Sequence, residues 1–140
     1  MMRLLKVLFA WLFVCAVPVQ AKVYLVSVGI ADYPGTKNDL RVSDQDAKTI
    51  AKVFNATKDA SVSVVVNGDA TQGALLSTMH TAFANAQSDD TVILYFSGHG
   101  TPGAIVCYDG ELTYQHIFKM LKGSLDRKSG SAGMPRAISY

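Results

Sequence analysis

Cysteine is scarce in this chain: Cys15 and Cys107 are the two among 140 residues. Cys15 sits inside an apolar run, Val7 to Val17, that follows basic Arg3 and Lys6 and precedes Val19-Gln20-Ala21, small residues at cleavage-site spacing. That layout predicts a secretory signal peptide over residues 1–21, and hence export to the periplasm or the medium. The run is short against the roughly 20 apolar residues a bilayer span takes, so no stable membrane span is expected after cleavage. Bulky Phe13 and Val14 ahead of Cys15 argue against lipid attachment there. The remaining chain holds Cys107 alone, which excludes an internal disulfide even in an oxidising compartment.

An excess of either charge is also lacking. The 13 Lys and Arg fall to 11 once Arg3 and Lys6 leave, and these balance the 11 Asp and Glu. A neutral chain gives no electrostatic warrant for a nucleic-acid partner. Neither His80 nor His116 falls in a metal-ligand spacing, so both read as ordinary helical residues and no metal site is expected. Gly98-His99-Gly100 runs on into Thr101-Pro102 instead of a Lys-bearing helix start, which excludes a phosphate-cradling loop. There is no internal repeat and no linker, and residues 22–140 suffice for one domain.

Apolar patterning is plentiful. Lys22 to Ile30 is β-branched and nearly continuous, as in a strand covered on both faces. Ala31 to Asn38, with Asp, Pro, Gly and Asn, reads as a loop. Ala47, Ile50, Ala51 and Phe54 recur at helical spacing, with Ser43 or Asp44 to cap the start. Val62 to Val66 predicts a second strand, ended by Asn67-Gly68-Asp69. Thr71 then caps a helix whose buried stripe is Leu75, Met79, Ala82, Phe83 and Ala86. Thr91 to Phe96 predicts a third strand, Ala104 to Cys107 a short one, and Leu112, Ile117, Phe118 and Leu121 a third helix. From Gly123 to Tyr140 Ser, Gly, Arg, Lys and Pro dominate, an irregular tail. Strand and helix alternate, which predicts right-handed βαβ crossovers and a parallel sheet under helices.

Ser97-Gly98-His99-Gly100 closes the third strand. Chemistry in doubly wound α/β proteins gathers at the carboxyl ends of strands. An imidazole there, changing charge near neutral pH, is a candidate proton shuttle, and its flanking glycines let a backbone come close. The bland alternative is a strand-end histidine bonded to backbone. Cys107, in an apolar segment before a turn, reads as a small buried hydrophobe more than as a nucleophile. Asp109 reads as a turn former with Gly110. Asp46 reads either as a first-turn carboxylate that suits the helix dipole or as a binding group.

Several pieces together resemble the caspase-like cysteine peptidases, in particular the bacterial and metacaspase branch. They are Val28-Gly29-Ile30 with Tyr33 behind it, Leu40 six residues ahead of Asp46-Ala47, Asp90-Thr91 leading into Leu94-Tyr95-Phe96-Ser97-Gly98-His99-Gly100, and Tyr108-Asp109-Gly110. The resemblance delimits a peptidase-like part at 22–122 between the leader 1–21 and a tail 123–140. It implies a caspase-like three-layer α/β sandwich, a mostly parallel sheet with helices on both faces. His99 would be the histidine of the catalytic dyad, and the Gly100 N–H part of the oxyanion hole. Asp46 matches the acidic residue that lines the metacaspase pocket for the residue before the scissile bond, with Ser43 on the same wall. A carboxylate there selects Arg or Lys. True caspases carry an aspartate-selecting arginine at the position of Leu40, which this chain lacks. The implied partner is a peptide or protein substrate, and no cofactor is implied beyond the calcium that some metacaspases use.

The nucleophile is the missing part. Caspases keep the histidine about 50 residues upstream of the cysteine, and Leu125 to Tyr140 holds neither a cysteine nor an apolar strand. The expectation is a fold incomplete at its C-terminus, as a truncated or frameshifted reading frame would leave it. It keeps the histidine of a cysteine-type endopeptidase, lacks the cysteine, and is inactive alone. An unpaired third strand would also favour self-association through an open sheet edge. The alternative is a non-catalytic peptide-binding or assembly module of the same fold, taking up an extended strand at that edge.

Overall fold

The computed structural model describes residues 20–126. Of the predicted leader only Gln20 and Ala21 fall within them, and of the predicted tail only 123–126. Its centre is β1 (Val23–Gly29), flanked by β2 (Ala60–Val66) and β3 (Thr91–Ser97) in the order β2-β1-β3. All three run parallel, from Val23 beside Ala60 and Thr91 to Gly29 beside Val66 and Ser97. Six of the seven β1 residues are buried, as a strand covered on both faces requires.

Parity decides which helix each strand residue meets. The Ser27 hydroxyl donates to the Ala47 carbonyl at 2.8 Å, so Leu25, Ser27 and Gly29 face α1 (Ser43–Asn55). Tyr24, Val26 and Val28 face the other way, into a core with Leu75, Met79 and Phe83 of α2 (Gln72–Phe83) and Ile117 of α3 (Tyr114–Asp126). Helices therefore cover both faces, as expected. The in-register pairing extends this parity to β3: Val92, Leu94 and Phe96 pack on the core, while Ile93, Tyr95 and Ser97 lie on the α1 side. Among the described residues β1 is the one strand paired with β3, and Val92 to Ser97 are half-buried.

A second, antiparallel sheet joins β4 (Gly100–Thr101), β5 (Ala104–Cys107) and β6 (Gly110–Thr113). Only β5 is expected from sequence, because Ala104 to Cys107 is an apolar run, whereas β4 has two residues and β6 a single apolar one. Leu112, expected on the third helix, is a buried β6 residue. That helix starts at Tyr114 and runs through Gly123 to Asp126, four residues into the stretch read as irregular tail. Asp109 does more than turn the chain. Its Oδ1 accepts the Gln72 N–H at 2.7 Å, satisfying an open donor at the start of α2, and the Tyr108 N–H donates to the Ala70 carbonyl at 2.9 Å.

The helix starts differ from one another. Thr71 Oγ1 accepts from the Ala74 N–H at 3.2 Å, the expected cap. Ser43 and Asp44 do not cap α1; Val42 holds the capping position without a side-chain bond. Ser43 is instead drawn into the first turn and buried, because Gly29 presses against it. A Cβ at position 29 would lie 2.1 Å from the Ser43 carbonyl oxygen and 2.7 Å from the Ala47 Cβ. Asp90 ties the sheet's other end: its carboxylate accepts the Gln87 and Lys22 N–H groups, both at 2.8 Å, and these bonds hold its pKa below the usual carboxylate range.

Gly29→Ala should thus force α1 away from β1. The expected loss is about 2–3 kcal/mol of stability, an overpacking cost read from the urea midpoint. A variant of wild-type stability would show that the two elements are not in this close contact.

Candidate active site

β1 and β3 end together. The Ile30 N–H donates to the Ser97 carbonyl at 3.0 Å, and beyond that rung the two chains diverge, one into the loop 31–42 and the other into Gly98-His99. His99 then meets that loop again. Its Nε2 lies 2.7 Å from the Asn38 carbonyl oxygen, and its N–H donates to the Tyr33 hydroxyl at 2.9 Å. The Tyr33 ring sits 4.8 Å from the imidazole, centroid to centroid, tilted by 47°. A carbonyl oxygen only accepts, so Nε2 carries the proton, and in the neutral ring Nδ1 is the basic nitrogen. His99 is half-buried at the sheet's rim, as the sequence predicts.

The loop that grips it is held at several points. The Asp39 carboxylate accepts the Tyr33 N–H at 3.1 Å, and the Leu40 N–H donates to the Ala31 carbonyl at 2.7 Å. Asn67 Oδ1 accepts both the Ala31 and the Asp32 N–H, at 2.9 and 3.1 Å. Asn67 reaches them from a left-handed backbone, φ 51°, which asparagine tolerates better than most residues.

Gly100 is exposed and lies opposite Ile105 in the β4–β5 ladder. The Val106 N–H donates to the His99 carbonyl at 2.9 Å, so the 99–106 rung is a bonded one. Bonded and non-bonded pairs alternate in antiparallel ladders, and the Gly100 N–H therefore points away from β5. A Cβ at position 100 would touch only the Ala104 carbonyl oxygen, at 3.5 Å, so packing does not demand glycine there.

Asp46 stands beside the same strand end. Ser97 donates its hydroxyl proton to Asp46 Oδ2 at 3.2 Å, which places the carboxylate at the carboxyl end of β3, two residues along the chain from His99. Ser43, 6% exposed, lies one helical turn before Asp46, against Gly29. The structure thus gathers His99, Gly100, Asp46 and Ser43 at one end of the sheet. Sequence reasoning quoted Ser97, Tyr33 and Asn38 but gave none of them a role. The first was findable from strand parity; a backbone carbonyl acceptor such as that of Asn38 leaves no sequence signal.

Cys107 lies apart from that end in chemical character. It is 1% exposed within the core, and burial, with the Asp109 charge adding to it, pushes its thiol up to about 11. Such a thiol holds its proton at neutral pH, and the thiolate is the form that attacks carbonyls. Among the described residues no group of three or more His, Cys, Asp or Glu could hold a metal ion, and no helix is long and apolar enough to cross a membrane.

The sequence model of the caspase domain matches residues 23–128. Among solved structures, protein GSU0716 from Geobacter sulfurreducens superposes with a TM-score of 0.62 at 20% identity, over 74% of this chain and 46% of that one. At that identity the likeness is one of fold, and together with the helix-flanked parallel sheet it bears out the caspase-like α/β architecture. The chain spans about half the length of that protein. No curated protein matches the sequence.

The buried thiol gives a pH test. Folding raises the Cys107 pKa from 9.0 to about 11, so the neutral thiol is favoured in the native state. Its contribution is intact below pH 9 and is lost as pH climbs from 9 toward 11, a fall of about 2–3 kcal/mol. Buried Tyr33, its pKa raised chiefly by desolvation, adds a loss of the same sign at higher pH. The urea midpoint should drop over this window, and less so in Cys107→Ala. A thiol reagent should label Cys107 slowly in the native chain at pH 8 and rapidly in urea.

Proposed function

The chain belongs to the caspase domain family, whose activity is of the peptidase type, and from that premise we propose that the His99 end of its sheet is the proton-transfer and substrate-selecting half of a cysteine endopeptidase site. On this reading His99 Nδ1 takes the proton of a thiol that attacks a peptide carbonyl, and returns it to the leaving amine. The Gly100 N–H, turned away from its ladder, donates to the oxyanion as charge develops there. Asp46, held by Ser97 and with Ser43 one turn away, receives an Arg or Lys side chain on the residue before the scissile bond. The observation that carries the reading is the 2.7 Å contact of Nε2 with the Asn38 carbonyl, which commits the proton to one nitrogen and leaves the other basic. The sulfur does not come from Cys107 and has to enter from outside the described residues. Residues 1–21 fit export, so the site would work in the periplasm or the medium.

The 140-residue chain alone is therefore expected to bind but not to cleave. A labelled peptide with a single Arg should associate with it, and Asp46→Asn should weaken that binding at least about tenfold, the loss of one charge-assisted pair. Equal affinity in the variant rejects the pocket. Hydrolysis of Arg- or Lys-bearing fluorogenic peptides that vanishes in Cys107→Ala rejects the account of the thiol.

A second reading, an assembly module without chemistry, is favoured by β3, which among the described residues is an edge strand whose Thr91 to Ser97 carry no charge and no proline. It expects concentration-dependent association in sedimentation velocity, reduced by Ile93→Lys. A chain that stays monomeric throughout rules it out.

A further inference from the structure

One rung of the β4–β5 ladder is opened by a foreign group. Thr101 faces Ala104 and Gly100 faces Ile105, so the register carries on to His99 facing Val106. The Val106 N–H donates to the His99 carbonyl at 2.9 Å, half of a bonded pair. The other half would ordinarily run from the His99 N–H straight to the Val106 carbonyl. The Tyr33 hydroxyl stands in that gap. It accepts the His99 N–H at 2.9 Å and donates to the Val106 carbonyl at 3.0 Å.

The neighbourhood is shaped to admit it. A Cβ at position 98 would lie 2.6 Å from the Tyr33 hydroxyl and 2.8 Å from the Phe96 ring, so glycine is required for the phenol to reach the rung. Tyr33 is 5% exposed, and desolvation raises its pKa, so it remains a donor at neutral pH. Asp39 holds its N–H, and Asn67 holds the two residues before it. One loop therefore touches His99 three ways: Tyr33 hydroxyl on the backbone, Tyr33 ring near the imidazole, Asn38 carbonyl on Nε2.

We propose that Tyr33 is a positioning residue, which by entering the His99–Val106 rung sets the imidazole in the Nε2–H form against Asn38. The inference rests on the reading of His99 as the proton-transfer group. The hydroxyl acts as a one-atom spacer: it holds the His99 backbone off β5, and so fixes where the side chain begins, while the tilted ring limits its rotation. Without the hydroxyl the His99 N–H and the Val106 carbonyl lose their common partner, the His99 backbone is no longer held at this distance from β5, and Nε2 leaves the Asn38 carbonyl.

The test reads the tautomer of His99 in the full chain labelled with ¹⁵N-histidine, its signal identified by loss in His99→Ala. At a pH where the ring is neutral, the wild type should show the Nε2–H form alone. Tyr33→Phe should show a mixture with the Nδ1–H form, and about tenfold faster exchange of the His99 amide, as loss of one hydrogen bond gives. Gly98→Ala keeps the phenol but drives its hydroxyl from the rung, and should give the same two changes. Urea midpoints identify which variants are folded. An unchanged tautomer in a folded Tyr33→Phe or Gly98→Ala overturns the proposal, as does a wild-type spectrum without a nuclear Overhauser contact between the two rings. A wild type that is already a mixture overturns the reading of His99 itself, whereas a single tautomer in wild type and variants removes only the role of Tyr33.

Discussion

The hydrogen bond from the Ile30 N–H to the Ser97 carbonyl is the point on which the rest of this structure turns. It is the last rung shared by β1 and β3, and it fixes two chain exits side by side. One exit carries Tyr33 and Asn38, the other Gly98 and His99. Because the three strands are in register, β2 ends at the same level, and Asn67 at its end can fasten the first exit through Ala31 and Asp32. The site is thus a consequence of parallel pairing: strand ends brought level put their loops within hydrogen-bonding reach of one another. Gly29 makes the arrangement three-sided. By letting α1 approach at Ser43 and Ala47, it brings Asp46 to Ser97.

Strand parity explains why the one cysteine of the described residues lies away from His99. Val106 is the ladder partner of His99, and Cys107, one residue on, faces the opposite side of the small sheet. It packs with Ile117, Leu112 and the α2-facing side of β1. Eight residues of sequence separate the imidazole from the thiol, yet the pleat assigns one to the rim and the other to the core. Burial then acts on acidity, and a thiol pushed up to about 11 behaves as a small apolar side chain.

The long elements were legible because they repeat: β1 buries nearly every residue, and α2 shows Leu75, Met79 and Phe83 at helical intervals. The rim motif was legible because glycine, histidine and glycine follow an apolar run. What escaped reading is short or backbone-mediated. β4 has two residues and β6 a single apolar one, and Leu112 was given to a helix because it lies two residues before one. Ser43 carried a capping signal that tertiary packing overrode, since Gly29 claims its carbonyl as a contact surface. The Asn38 carbonyl and the inserted Tyr33 hydroxyl belong to the same class. Each depends on where a loop is folded back, and local composition does not encode that. The stretch read as a leader and most of that read as a tail lie outside the described residues.

The two glycines around His99 are not equivalent, and on the proposed reading of the site the difference bears on how base and oxyanion donor would be coordinated. Gly98 is sterically compelled: a methyl group there meets the Tyr33 hydroxyl and the Phe96 ring. Gly100 is not compelled, since a Cβ would find ordinary contact with the Ala104 carbonyl alone. Its place in the ladder supplies a reason that packing does not. On the bonded rung, the polar backbone groups of His99 are turned inward and consumed, which fixes the imidazole. One residue later alternation turns those of Gly100 outward, where a side chain would stand between the N–H and an incoming carbonyl. His99 and Gly100 are consecutive residues of one register, so no shift of β4 against β5 could move one and spare the other. A phenol inserted into the rung of the first therefore also sets the second. On the proposed reading, the spacing between proton acceptor and oxyanion site would then depend on a hydroxyl that touches neither substrate nor thiol.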